Sequence, residues 1–275
     1  MNIQDALEIV SLTNPGMVRS HNEDSVSHDA ECGLVVLADG MGGYNAGEVA
    51  SGIAVSVVMT EIKHYLEEVR PEDKDPATGE DMAVVLLRDN VQKANASIYH
   101  AAQSQPQYAG MGTTIVSSLF YDNRVAVAHI GDSRLYRLRG DVFESVTRDH
   151  SLLQEQIDSG MISKEDARNS KNKNLVTRAV GIDAEVEAEV HVYDVERGDI
   201  YVLCSDGLND MVEDEDIGST VQMLQSNLPL AASQLIQMAN DNGGRDNVSV
   251  ILVKVNGEFA AKRGLFAKLL SWFKN

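Results

Sequence analysis

The sequence predicts an α+β fold: a central β-sandwich of two antiparallel sheets, with helices on both outer faces in α-β-β-α layers. Three observations carry this expectation. Short apolar runs rich in Val, Ile and Tyr follow one another without helical crossovers, which argues for antiparallel rather than parallel pairing. Long helical stretches interrupt them and need sheet faces to cover. A chain of 275 residues, 43% hydrophobic, with no midpoint linker, repeat or low-complexity tract, suffices for one large core.

The elements are expected in this order. Strands are predicted at 7–12, 24–28, 33–38, 113–120, 124–130, 134–138, 187–193, 199–204 and 247–255. Asp122-Asn123 joins two of them as a hairpin turn. A helix from Glu48 to about Val69 follows a glycine-rich loop and stops before Pro71; a second runs from Asp81 to about Gln103. Shorter helices are predicted at 151–158, 214–224 and 229–241. Residues 160–180 are polar and locally basic and read as a flap.

The net charge is −19, from 23 basic and 42 acidic residues. That field repels nucleic acid and anionic membranes and attracts divalent cations. No stretch reaches the roughly 18 apolar residues of a membrane span. The amino terminus lacks a basic, apolar leader, so the protein is expected to be cytoplasmic. Cys32 and Cys204 sit in apolar strand contexts without metal spacing and read as buried thiols.

Four apolar runs end or begin at an aspartate beside a small or polar residue: Asp39-Gly40, Gly131-Asp132-Ser133, Asp206-Gly207 and Asp246-Asn247. A carboxylate at a strand end is exposed at the sheet edge but rigidly held. Four of them imply one cluster of oxygen ligands for hard divalent ions. Arg19, Glu23 and Asp24 add a guanidinium suited to phosphate oxygens and two further carboxylates. Gly40 frees the backbone to approach a cation, and Gly42-Gly43 permit an unusual loop. That loop lacks the Lys-Ser/Thr ending of a nucleotide-binding loop.

Taken in order, these segments resemble the metal-dependent protein phosphatases (the PPM, or type 2C, serine/threonine family), in their bacterial branch. The matching text is Arg19-Ser-His-Asn-Glu23-Asp24-Ser25, Ala38-Asp39-Gly40-Met41-Gly42-Gly43, Gly112-Thr113-Thr114, His129-Ile-Gly131-Asp132-Ser-Arg134, Thr147-Arg-Asp-His150-Ser151, Thr177-Arg-Ala-Val-Gly181, Cys204-Ser-Asp206-Gly-Leu208 and Asp246-Asn-Val-Ser249. The likeness covers about residues 8–255. It implies a phosphatase domain over residues 1–256 that hydrolyses phosphoserine and phosphothreonine on proteins and opposes a bacterial Ser/Thr kinase. It also implies two Mn2+ or Mg2+ ions and a third, weaker one.

By that resemblance Asp39 bridges two ions, and Asp206 and Asp246 complete the shell of one. The Gly40 carbonyl and Glu23 serve the other, and Asp24 orients bound water. Asp132 shares the third ion with Asp206, and Arg19 grips the phosphate. The physical chemistry agrees: two divalent ions about 3.5–4 Å apart activate a bridging water for in-line attack, with no phosphoenzyme. Some relatives carry histidine where this chain has Met41, which cannot donate a proton. Metal-bound water or His21 is left as the leaving-group acid. His129 reads as a satisfied core residue, and His150 as an anchor of the flap base.

Two other functional classes compete with this one. A catalytically weak module that binds phosphorylated partners is disfavoured by the complete carboxylate set; a metal-dependent nuclease is disfavoured by the acidity. Residues 257–275 hold the only tryptophan, Trp272, among apolar residues at helical spacing with Lys262, Arg263, Lys268 and Lys274. This cationic amphipathic tail suits packing on its own domain, docking on a partner or contact with a membrane surface. Family members are usually monomeric, and the same is expected here.

Overall fold

The computed structural model describes residues 2–43, 46–163, 166 and 175–261. One antiparallel sheet has the order β1-β11-β10-β7-β8, formed by Leu7–Asn14, Val248–Val255, Ile200–Cys204, Arg134–Arg139 and Val142–Ser145. The other has the order β2-β3-β5-β6-β9, formed by Asp24–Asp29, Leu34–Met41, Ile115–Tyr121, Arg124–Ile130 and Glu189–Asp194, and the short β4 (Gly112–Thr113) pairs with the end of β3. Helices α2 (Ala46–Tyr65) and α3 (Met82–Ser104) cover the second sheet. Helices α6 (Asp214–Met223) and α7 (Leu228–Asp241) cover the first. The expected α-β-β-α layering is what forms.

Alternation along the strands builds three apolar layers. On β3, Val35 and Leu37 point into the sandwich, where they share a cluster with Tyr201, Leu203 and Ile251 of the facing sheet. Leu34, Val36 and Ala38 point outward onto Ala54, Val58 and Ile98 of α2 and α3. On β10, Ile200, Val202 and Cys204 pack outward against Ile217 and Leu235. Strands buried on both faces explain why the sequence shows continuous apolar runs rather than apolar–polar alternation.

Every predicted strand and helix is present. Asp122 and Asn123 both take positive φ (44° and 54°), the left-handed pair that matches hairpin twist. The first long helix stops at Tyr65, short of Val69. Four elements escaped prediction: β8, the single-turn α1 (Ile3–Ala6), a 3-10 turn at Pro106–Tyr108 and the single-turn α5 (Asp206–Asn209). The remaining α4 (Leu152–Asp158) is capped by Ser151, whose hydroxyl accepts from the Gln154 amide at 3.2 Å.

The predicted flap leaves and rejoins the body side by side. Leu152 N–H donates to Leu175 O, and Thr177 N–H donates to His150 O. Residues 164–165 and 167–174 of it, and the tail from residue 262, lie outside the described residues. Phe259 is buried between the sheets, and the hairpin residues Asn123 and Asp122 accept from the amides of Phe259 and Ala261. Among the described residues no helix is long and apolar enough to cross a membrane.

Candidate metal centre and active site

All the predicted site residues meet at one edge of the sandwich, where strands of both sheets end or begin. Asp24 opens β2 and pairs directly with Asp39 near the end of β3. Asp132 follows β6, Asp206 opens α5 just after β10, and Asp246 lies two residues before β11. Like charges directly opposite on a ladder are unfavourable, so the Asp24–Asp39 register already calls for a cation or a proton between them.

The electrostatics express the same demand. Burial, then the charges of Asp24, Asp206, Asp132 and Asp246, hold the Asp39 carboxyl well above the ordinary carboxylate range. Burial and the charges of Asp132, Asp210, Asp246 and Asp24 do the same to Asp206. Burial is the main cause at Asp24 and Asp132, each pushed up to about 6. At Asp24 the hydroxyls of Ser249 and Ser205 work against it, both donating to Oδ2, at 2.6 and 2.8 Å. Its other oxygen, Oδ1, is buried with no donor. An acceptor left bare in a cluster with four other aspartates fits a site built for divalent cations and their water.

Backbone contacts fix the cluster. Asp39 N–H donates to the Thr114 hydroxyl (3.0 Å), and Thr114 Oγ1 lies 2.7 Å from Ser133 Oγ, so the turns carrying Asp39 and Asp132 share one residue. The Asn247 side chain joins three segments: Oδ1 accepts from Glu23 N–H, and Nδ2 donates to Pro15 O and His21 O. Thr114, Ser205, Asn247 and Ser249 lie in the motifs that carried the resemblance, but sequence reasoning gave them no role. Glu23 accepts from the Gly47 amide in the first turn of α2, where a helix terminus favours negative charge.

At Gly40 an added Cβ would stand 2.1 Å from Gly47 O and 2.6 Å from Glu23 O, both backbone atoms that cannot turn away. Gly40→Ala is therefore expected to lower stability by about 3 kcal/mol and to lower metal affinity with it, checked by urea unfolding and Mn2+ titration.

Arg19 meets the cluster at its rim. Its Nη2 lies 2.6 Å from Asp246 Oδ2 while half the side chain stays exposed. The guanidinium at the rim is thus oriented by a carboxylate. His21 is exposed, and its carbonyl serves Asn247. Neither thiol is suited to nucleophilic work: burial raises Cys32 to about 11 and pushes Cys204 higher still.

Beyond Asp132 and Asp206 a cleft of about 600 Å3 runs between α4 and the start of α6, lined by Arg134, Arg148, Asp149 and Asp210 among others. Arg134 forks onto Asp149 (2.8 and 2.7 Å) and donates to Tyr136 Oη, whose hydroxyl donates to Asp214. These contacts tie one wall of the cleft together.

A family model described as protein phosphatase 2C matches residues 18–241. The chain belongs to the protein phosphatase 2C family. It is 37% identical over 247 residues to the serine/threonine phosphatase stp of Listeria innocua, covering 89% of this chain and 94% of that protein. It is 36% identical over 264 residues to the protein phosphatase PhpP of Streptococcus pneumoniae, covering 92% and 100%. The crystal structure of the Mycobacterium tuberculosis serine/threonine phosphatase PstP/Ppp superposes with a TM-score of 0.82 at 35% identity, over 92% of this chain and all of that one. A PstP catalytic domain in complex with two manganese ions superposes with a TM-score of 0.79 at 36% identity, covering 92% of this chain and 99% of that one. The fold and family expected from the motifs are therefore established, and the residues gathered at the sandwich edge are those that carried the resemblance.

Proposed function

We propose that this chain hydrolyses phosphoserine and phosphothreonine on proteins with two Mn2+ or Mg2+ ions held at the sandwich edge. The observation that carries this reading is the in-register pair Asp24–Asp39 facing Asp132, Asp206 and Asp246, a concentration of negative charge that only multivalent cations or several protons relieve. Asp39, Asp206, Asp246, Glu23 and the Gly40 carbonyl would hold these two ions. Asp132 with Asp206 would hold a third, weaker ion. When bound, the ions supply charge for the phosphoryl oxygens and an activated water.

The chain's own residues do the rest. Arg19 binds the phosphate and holds it at the rim. Asp24, fixed by Ser205 and Ser249, presents Oδ1 as an acceptor for a water proton. The cleft beside Asp132 receives the chain that carries the phosphoresidue. The enzyme opposes a cognate Ser/Thr kinase in the cytoplasm and acts as a monomer. A phosphoprotein-binding module without turnover is less well supported, because every carboxylate of the set is present.

The test is hydrolysis of a phosphothreonine peptide and of p-nitrophenyl phosphate with Mn2+; full activity in excess chelator would sink the proposal. Arg19→Ala is expected to raise KM about tenfold with kcat little changed, since it removes binding shared by ground and transition states. Arg19→Lys should recover only part, because an ammonium lacks the planar fork. Unchanged KM in both would count against the role of Arg19.

A further inference from the structure

Behind the metal edge lies a cluster that the reaction does not use. Gly131 directly precedes Asp132 and has a left-handed backbone, φ +104°, with Thr114 Cγ2 2.6 Å from where a Cβ would stand. Both main-chain polar groups of Gly131 end on one residue. Gly131 N–H donates to Nδ1 of His150 at 3.2 Å, and His150 N–H donates to Gly131 O at 2.8 Å. A backbone amide can only donate, so Nδ1 is the bare nitrogen and the imidazole proton sits on Nε2. That proton faces Oε2 of Glu189, 3.2 Å away. Glu189 in turn stands in register with His129 across β6 and β9 and accepts from His191 at 2.8 Å. The His129 ring stacks on His150 (4.7 Å between centroids, 18° between planes), and its Nε2 donates to Arg148 O at 2.9 Å.

His129, His150 and Glu189 bring ligand atoms within 4.8 Å of one another, close enough to suggest an ion site. Stereochemistry speaks against one. Near-parallel rings send their in-plane lone pairs along near-parallel lines that do not converge, and Nε2 of His150 is already protonated.

We propose instead that Glu189 and His150 are positioning residues that clamp Gly131 and so aim the Asp132 carboxylate at its cation. The proposal rests on reading Asp132 as the ligand of the weaker ion. The carboxylate of Glu189 selects the ring tautomer whose Nδ1 accepts. Without its charge the other tautomer competes, and that one turns an N–H toward the Gly131 N–H. The clamp then opens, although no contact to the ion or the substrate has been touched. Such outer partners set the aim of a ligand in many metal sites.

The test uses the full chain. Mn2+ binding is followed by electron paramagnetic resonance, and amide hydrogen exchange at residues 131–133 is followed in Mg2+. Glu189→Gln and His150→Ala should weaken the weakest Mn2+ ion about tenfold, leave the tighter ions unchanged and speed exchange of the Gly131 amide. His150→Asn puts Oδ1 where Nδ1 stood and should restore much of both. The proposal is overturned if the weakest ion is unaffected in Glu189→Gln and His150→Ala, if all ions weaken alike, or if His150→Asn behaves as His150→Ala. Asp132→Asn separates the two readings. If it still binds the weak ion, the ligand assignment of Asp132 is what fails, and Gly131 exchange alone then decides the clamp.

Discussion

Asp39→Asn is expected to lose Mn2+-dependent hydrolysis by at least about 10³-fold, equivalent to ~4 kcal/mol of barrier, while the protein becomes more stable in chelator. The two effects share one cause. The amide keeps the shape of the side chain and leaves the main-chain contacts with Thr113 and Thr114 in place. It removes one charge from a cluster whose members repel one another. Without cations that removal is relief; with cations it deletes a carboxylate that the proposal assigns to the ions. Asp206→Asn should behave in the same way, because its carboxyl is raised by the same neighbours. The measurements are phosphopeptide turnover with saturating Mn2+ and thermal unfolding with chelator. Activity within tenfold of wild type would remove Asp39 from the centre of the proposal. A loss of activity accompanied by destabilisation in chelator would point to a folding defect instead.

The sequence exposed most of this architecture because the sandwich is buried on both faces. Strand Ile200–Cys204 is apolar throughout, Ile115–Tyr121 is apolar but for Ser117 and Ser118, and the second long helix stops just before Pro106. Strand β8 escaped because Val142–Ser145 is a mostly exposed edge with no apolar run. The site carboxylates were legible because each stands beside a glycine, asparagine or serine at a strand end. Their supports were not. Ser205 and Ser249 lie 181 and 225 positions from Asp24, and Arg19 lies 227 from Asp246. Asn247 and Ser249 fall in a quoted motif, but nothing local says what they hold; only the fold brings them to Glu23 and Asp24. Glu189 is hidden for the same reason, as one polar residue in a strand whose importance comes from standing opposite His129.

Removal of the metal should invert the usual pH dependence of carboxylates. Asp24 and Asp132 titrate near 6 in the folded protein, against 3.8 for the ordinary side chain. Between those values the folded state holds protons that the unfolded chain has released. Stability in chelator is therefore greatest below about pH 4 as far as these groups are concerned, and it falls as pH rises toward 6. A shift of that size is worth ~3 kcal/mol for either group alone, and the two share one cluster, so their sum is smaller than twice that. Asp39 and Asp206, raised further by burial and their neighbours, extend the loss above pH 6. Glu189, drawn down to about 2 by its histidine partners against its burial, acts in the opposite sense but only between about pH 2 and 4.5. For a chain of this length ~3 kcal/mol corresponds to a fall in Tm of about 6–12 °C. Mn2+ should abolish the fall, since cations then neutralise what protons neutralised before, and its stabilisation should be large at pH 7 and small at pH 5. Calorimetric scans from pH 4.5 to 7.5, with chelator and with Mn2+, read this directly. A Tm in chelator that stays level or rises across that range would mean that the carboxylates are not held close enough to need a cation, and the proposed metal centre would fall with them.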